Sequence, residues 1–125
     1  MPIVLYTLAL WLILPLLVLK LVLRILKNPS YLSRLSERFG NGKKIAPSFD
    51  LWIHAVSVGE VRAATPLVQG FLTDHPAARV IITTMTPTGA QQVADTFSTS
   101  VVHRYAPYDY AFAVKRFLNH VQPKV

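Results

Sequence analysis

LWIHAVSVGEVRAATPL, residues 51–67, decides the fold of this 125-residue chain. Its first part, LWIHAV (51–56), is an unbroken apolar and aromatic run, too short for an independent helix. Such a run suits a strand covered on both faces, as in a parallel sheet. SVGE (57–60) is a tight turn carrying one carboxylate, Glu60, directly after Gly59. From there apolar residues recur at helical spacing, at Val61, Ala64, Leu67, Val68, Phe71 and Leu72, which predicts a helix over 61–73. Pro66 fits that helix only near its beginning or at a kink.

The pattern repeats downstream. RVIITT (79–84) is a second β-branched strand, and TPTGA (86–90) is a helix start with Thr86 as cap and Pro87 in the first turn. That helix runs to about residue 97. VVHRY (101–105) is a third strand, PYD (107–109) a turn, and 110–121 a helix whose apolar positions are Phe112, Val114, Phe117, Leu118 and Val121. Strand and helix alternate three times, which is half of a doubly wound α/β domain with a parallel sheet. Such sheets bind ligands beyond the carboxyl ends of their strands, where 57–60, 84–89 and 106–109 all fall.

Upstream the chain changes character. Residues 1–19 contain no charge, Lys20 interrupts the run, and apolar residues continue to Arg24. A spanning helix needs about 20 apolar residues. Pro15 inside the run is tolerated in a membrane segment. The start is uncharged and the bases follow, which is the reverse of a cleaved signal peptide. A span and a deeply embedded in-plane anchor both fit, and both leave the later part on the cytoplasmic face by the positive-inside rule.

The formal net charge of +7 is concentrated after this run: Lys20, Arg24, Lys27, Arg34, Arg38, Lys43 and Lys44 stand against Glu37 alone. Bases beside an apolar run favour anionic lipid head groups over nucleic acid. Residues 30–40 predict a short basic helix with Ser30 or Ser33 as cap and Gly40 as stop. Its face of Tyr31, Leu35 and Phe39 suits either packing on the following domain or contact with a membrane surface. The chain divides into an anchor (1–24), a basic juxtamembrane helix and linker (25–49) and an α/β part (50–125). There is no cysteine, so no disulfide framework or cysteine-based metal or redox site exists. His54, His75, His103 and His120 stand on different elements without ligand spacing, so no metal is expected. His54, inside the first strand, reads as a satisfied core histidine. No glycine fingerprint follows the first strand, and no cofactor is expected.

Glu60 carries the candidate chemistry. A carboxylate in a cleft can take a proton from an attacking hydroxyl. In the first turn of a helix it also simply complements the dipole, and on composition both roles are open. Gly59 permits an unusual backbone angle or close approach of a ligand. Thr84, Thr86 and Thr88 with Gly89 either bind an anion or sugar hydroxyls at a helix N-terminus, or only cap it.

Taken together, WIHAVSVGE (52–60), TTMTPTG (83–89), YAPYD (105–109) with RFL (116–118), the apolar N-terminus and RFG (38–40) resemble the Kdo transferases, which handle 3-deoxy-D-manno-oct-2-ulosonic acid in lipopolysaccharide assembly. The likeness implies a partial Rossmann-like N-terminal domain of a GT-B glycosyltransferase behind a membrane-anchoring helix. It implies transfer of Kdo from CMP-Kdo to a lipid A precursor with inversion, with Glu60 as general base and no metal. Ser57, Gly59, Thr84, Thr86, Thr88 and Gly89 are the candidate substrate-binding residues beside it. It places the chain at a bacterial inner membrane, facing the cytoplasm. Members of that family are several times longer. The chain is therefore expected to be an N-terminal portion without the donor-binding domain, inactive alone and with an open sheet edge. The alternative is a membrane-anchored lipid-binding or interaction module without catalysis.

Overall fold

The computed structural model describes residues 2–27, 35–40 and 48–125. Three strands, β1 (Leu51–His54), β2 (Val80–Thr84) and β3 (Val102–Tyr105), lie parallel and side by side in chain order. The helices among the described residues are α1 (Pro2–Lys27), α2 (Val58–Asp74), α3 (Pro87–Phe97) and α4 (Ala111–Val121). Among the described residues between α1 and β1 stands a 3-10 turn, Leu35–Phe39.

The register explains the unbroken apolar strands. Leu51 faces Val80 and Ile53 faces Ile82 across β1 and β2, while Ile81 faces Val102 across β2 and β3. Side chains alternate along a strand, so one set points to each face. Leu51, Ile53, Val80 and Ile82 pack under α2 and α3, against Val61, Val68, Val93 and Phe97. Trp52, Ile81 and Val102 pack on the other face, against Phe49 and, from α4, Phe117 and Val121. Central β2 is buried at every position. Each Val or Ile fully removed from water there contributes about 1.5–3 kcal/mol.

The outer edge of β1 is not bare. Phe49 pairs in parallel with Pro123, Lys124 N–H donates to the Phe49 carbonyl (2.8 Å), and Trp52 N–H donates to the Val125 carbonyl (2.7 Å). Residues 123–125 thus lie beside β1, on the side away from β2. The spatial order becomes β3, β2, β1, then 123–125. The order reverses at β1, and the helix leading to the reversal, α4, covers the opposite face from α2 and α3. This is the doubly wound arrangement, whose ligand crevice lies at the carboxyl ends where the order reverses.

Several expectations change. α2 begins at Val58, so Gly59 and Glu60 are inside its first turn. Pro66 sits in the middle of α2. It is tolerated because it and Arg62, whose carbonyl it leaves without an intrahelical donor, are both on the exposed side. His54 is exposed and bonds through Nδ1 to Thr83 Oγ1 (2.9 Å), so it is not a core residue. Phe112 and Leu118 point outward, 41% and 40% exposed, while Ala113, Phe117 and Val121 form the buried side of α4. Of the expected basic helix, 30–34 lie outside the described residues, with Ser30, Tyr31 and Ser33. Its remainder is the 3-10 turn, ended by Gly40 at φ +80.

Candidate functional site at the carboxyl ends of the strands

Backbone hydrogen bonds hold the three strand-end segments side by side. Ala55 N–H donates to Thr83 O (2.9 Å), Met85 N–H to Val56 O (2.9 Å) and Ala106 N–H to Thr84 O (3.0 Å). The ladder therefore continues one or two residues past each strand before the chain turns into a helix. The N-termini of α2, α3 and α4 consequently open on the same edge of the sheet.

Glu60 stands on the β1 segment. Ser57 is the N-cap of α2, with extended φ and ψ, and Glu60 follows three residues later. That spacing is the capping box, in which the acidic side chain reaches back to a backbone N–H before the helix. Half of it is formed, one residue displaced: a Glu60 carboxylate oxygen accepts from Val56 N–H. The Ser57 hydroxyl makes no capping bond. Glu60 and Gly59 are exposed. Apart from its chain neighbours and the adjacent backbone of α2, no heavy atom lies within 4 Å of where a Gly59 Cβ would stand, and its backbone angle is ordinary. The glycine therefore answers no conformational demand and leaves open space beside the carboxylate. One oxygen is fixed by the backbone and the group faces solvent, an arrangement that can accept a proton from a hydroxyl resting on that space.

The threonine turn is mostly occupied with itself. Thr86 caps α3 by accepting from Gly89 N–H (3.0 Å), and Thr88 Oγ1 donates to Thr86 Oγ1 (3.3 Å). Thr84 is fully buried, bonded to His103 Nε2 (2.8 Å) and to the Thr86 carbonyl (3.3 Å). Gly89 is buried, and a Cβ there would meet Thr86 Oγ1 at 3.0 Å and Thr84 Cβ at 3.2 Å. Thr84, Thr86 and Gly89 thus build the turn, and Thr88 is the exposed hydroxyl of the group. Arg62, not singled out in the sequence, is exposed and bonds Gln92 Oε1 (3.3 Å), linking α2 to α3. Its position one residue after Val61, on the outward side of the helix, was the available signal.

The third wall is a clamp. Glu37 is buried and accepts from Arg104 Nη1 (2.8 Å) and from Tyr105 N–H (3.0 Å). Tyr108 N–H donates to Arg38 O (2.7 Å), and the Arg38 guanidinium lies 4.4 Å from the Tyr105 ring centroid. The short basic segment therefore packs on the domain, at the end of β3. Glu37 had one sequence signal: it is the lone acid among seven bases.

Cavities lined by described residues flank this framework. One of 660 Å³ lies between α1 and α4, with Leu10, Trp11, Tyr110, Phe112 and Leu118 among its walls. One of 500 Å³, by Asp50, Phe71 and His75, lies at the opposite edge of the sheet from Glu60.

Residues 33–125 match the family described as 3-deoxy-D-manno-octulosonic-acid transferase (kdotransferase). The chain belongs to that family. The match takes in the clamp, the whole sheet and the Glu60 turn, and leaves out α1. Proteins named 3-deoxy-D-manno-octulosonic acid transferase are similar to it. That of Haemophilus influenzae is 48% identical over 101 residues, 79% of this chain and 24% of the relative. That of Bordetella pertussis is 36% identical over 95 residues, covering 70% and 22%. That of Rickettsia bellii is 32% identical over 114 residues, covering 90% and 27%. The chain spans about a quarter of the length of these curated relatives. No solved structure matches it.

Proposed function

We propose that this chain is the acceptor-side part of a GT-B glycosyltransferase that moves Kdo from CMP-Kdo to a lipid A precursor, with inversion at the transferred sugar. Glu60 is the general base. It takes the proton from a sugar hydroxyl of the acceptor as that oxygen attacks the anomeric carbon and the nucleotide leaves with the bonding electrons. The observation that carries this reading is the exposed Glu60 carboxylate, anchored on Val56 N–H beside open space at the sheet edge where the strand order reverses. Ser57, with its hydroxyl unused by the helix, and exposed Thr88 stand by to bind acceptor oxygens. Arg62 supplies positive charge for an anionic group on the same acceptor.

The remaining parts fit this role. Residues 1–24 anchor the protein, 25–49 form its basic juxtamembrane part, and 50–125 form the acceptor side. The donor nucleotide is held by a part of the enzyme outside these residues. α1 is long and apolar enough to cross a membrane, with a mean hydropathy of 2.4. The localisation proposed is a bacterial inner membrane, with the α/β part on the cytoplasmic side.

The test is a chimera joining this chain to the remainder of the Haemophilus influenzae relative. It is expected to bind membranes and to transfer Kdo from CMP-Kdo to a lipid A precursor, whereas residues 1–125 alone transfer none. A chimera that folds and binds membranes but turns nothing over, while the intact relative does, would contradict the proposal and favour a lipid-binding module without catalysis.

A further inference from the structure

α1 has differentiated sides. Leu10, Leu14, Leu17, Leu21 and Ile25 are its five residues that are not exposed, and they recur at four- and three-residue spacing. On a helix that spacing makes one stripe. Directly opposite, Leu5, Leu12, Leu19 and Leu26 repeat every seventh residue and are 66%, 79%, 55% and 74% exposed. Lys20, Arg24 and Lys27 share the flank between the two stripes.

The N-terminal half of α1 is also pinned to the start of α4. Tyr110 Oη donates to the Leu10 carbonyl (2.7 Å), and Tyr6 Oη donates to Asp109. The Trp11 ring meets Tyr110 edge-on at 5.5 Å and lies 6.3 Å from Phe112. These contacts decide how the helix meets a bilayer. Tyr6 and Arg24 are roughly 27 Å apart along the axis, nearly the hydrocarbon thickness of about 30 Å. Were α1 to cross with its basic end at the cytoplasmic head groups, Tyr6 would draw Asp109 and the non-helical backbone before α4 toward the far leaflet. A carboxylate and irregular backbone in hydrocarbon are both strongly disfavoured.

We propose that α1 lies in the plane of the membrane, docked under the domain, and does not cross it. The leucine side rests in the acyl region and the basic flank meets anionic head groups. An interfacial helix normally needs a polar face for water; here that side is partly shielded, with Leu21 buried and Leu10, Leu14, Leu17 and Ile25 half-buried. Phe112 and Leu118, outward on α4 beside the 660 Å³ cavity, extend the same apolar surface. Lys115, also at that cavity, and Arg116 add charge at head-group level. Asp109 belongs to the segment after β3, so this docking brings the strand-end edge with Glu60 down to the membrane surface. The inference rests on the membrane anchoring in the proposed function and adds how a lipid-borne hydroxyl reaches the site.

Trp11 reports the depth. The full chain and its Trp52→Phe variant, which leaves Trp11 as the sole tryptophan, are bound to phosphatidylglycerol–phosphatidylcholine vesicles brominated at different acyl depths. An in-plane helix holds Trp11 about 5–10 Å into the head-group and acyl boundary, so bromine near the head group quenches it most. The Trp52→Phe variant and the intact chain should give the same depth profile, since Trp52 packs inside the domain against Phe117. Strongest quenching by bromine near the methyl ends, the signature of a helix through the midplane, would overturn the in-plane placement alone. Failure to float with either vesicle would overturn the membrane anchoring as well.

Discussion

At the scale of single residues, three glycines separate packing from chemistry. Gly40 has φ +80, and a Cβ there would stand 2.1 Å from the Ala113 carbonyl oxygen of α4. Gly40→Ala is expected to lose more than about 2 kcal/mol of stability in denaturant titration, from left-handed strain and overlap together. Gly89 is fixed by its neighbours in the threonine turn, where removing the cap with Thr86→Ala should cost about 1 kcal/mol. Gly59 is different. It has room for a methyl and an ordinary backbone angle. Gly59→Ala should hold or raise stability by about 0.5 kcal/mol, while in the active chimera it weakens acceptor binding, seen as a raised KM. An unchanged KM would mean the acceptor does not use that space.

Asp50 adds a pH-dependent lock at the other end of β1. Its carboxylate accepts from Arg79 N–H (2.8 Å) and from Lys124 Nζ (2.9 Å). The Arg79 backbone bond, then the Lys124 bond, hold its pKa below the ordinary carboxylate range. Since the folded value is the lower one, the stabilisation is complete above the unfolded pKa near about 4 and is lost as pH falls through the folded value. Unfolding followed by Trp52 emission should show this acid limb, and Asp50→Asn should flatten it.

Among the elements, the 3-10 turn contributes more than its length suggests. Glu37 and Arg104 have side chains only 6% and 11% exposed, and Glu37 also receives the Tyr105 N–H. Removing one partner of such a pair leaves a buried charge and typically costs about 3–5 kcal/mol. Glu37→Ala is therefore expected to lower stability on that scale and to loosen the β3–α4 wall of the site. Combining it with Arg104→Met should restore part of the loss, and a double variant no better than Glu37→Ala would contradict the pairing. The α2 start behaves differently: among the described residues Glu60 holds Val56 N–H alone, at the surface, so its structural worth is that of one cap.

Across the whole molecule, the α/β order was legible because β-branched runs and helical spacing are local properties. Strand boundaries came within one or two residues, the largest miss being β1, which ends at His54 and not Val56, and Thr86 and Pro87 marked α3 correctly. What escaped depends on residues far apart in the chain. Nothing local tells that Glu37 meets Arg104, that residues 123–125 flank β1, or that Phe112 and Leu118 face α1 and not the sheet. The early start of α2 was hidden because Gly59 reads as a breaker, although a glycine in a first turn is cheap. Glu60 was legible as a candidate base, but its hold on Val56 N–H was not, even though Ser57 and Glu60 stand at capping-box spacing.

That hold sets up the most direct test of the account. A glutamine at position 60 keeps an oxygen to accept from Val56 N–H but cannot take a proton. Kdo transfer by the chimera carrying Glu60→Gln should fall about 10²–10⁴-fold, with unchanged melting temperature and membrane binding. Turnover near that of the parent chimera would show Glu60 to be a helix cap and nothing more.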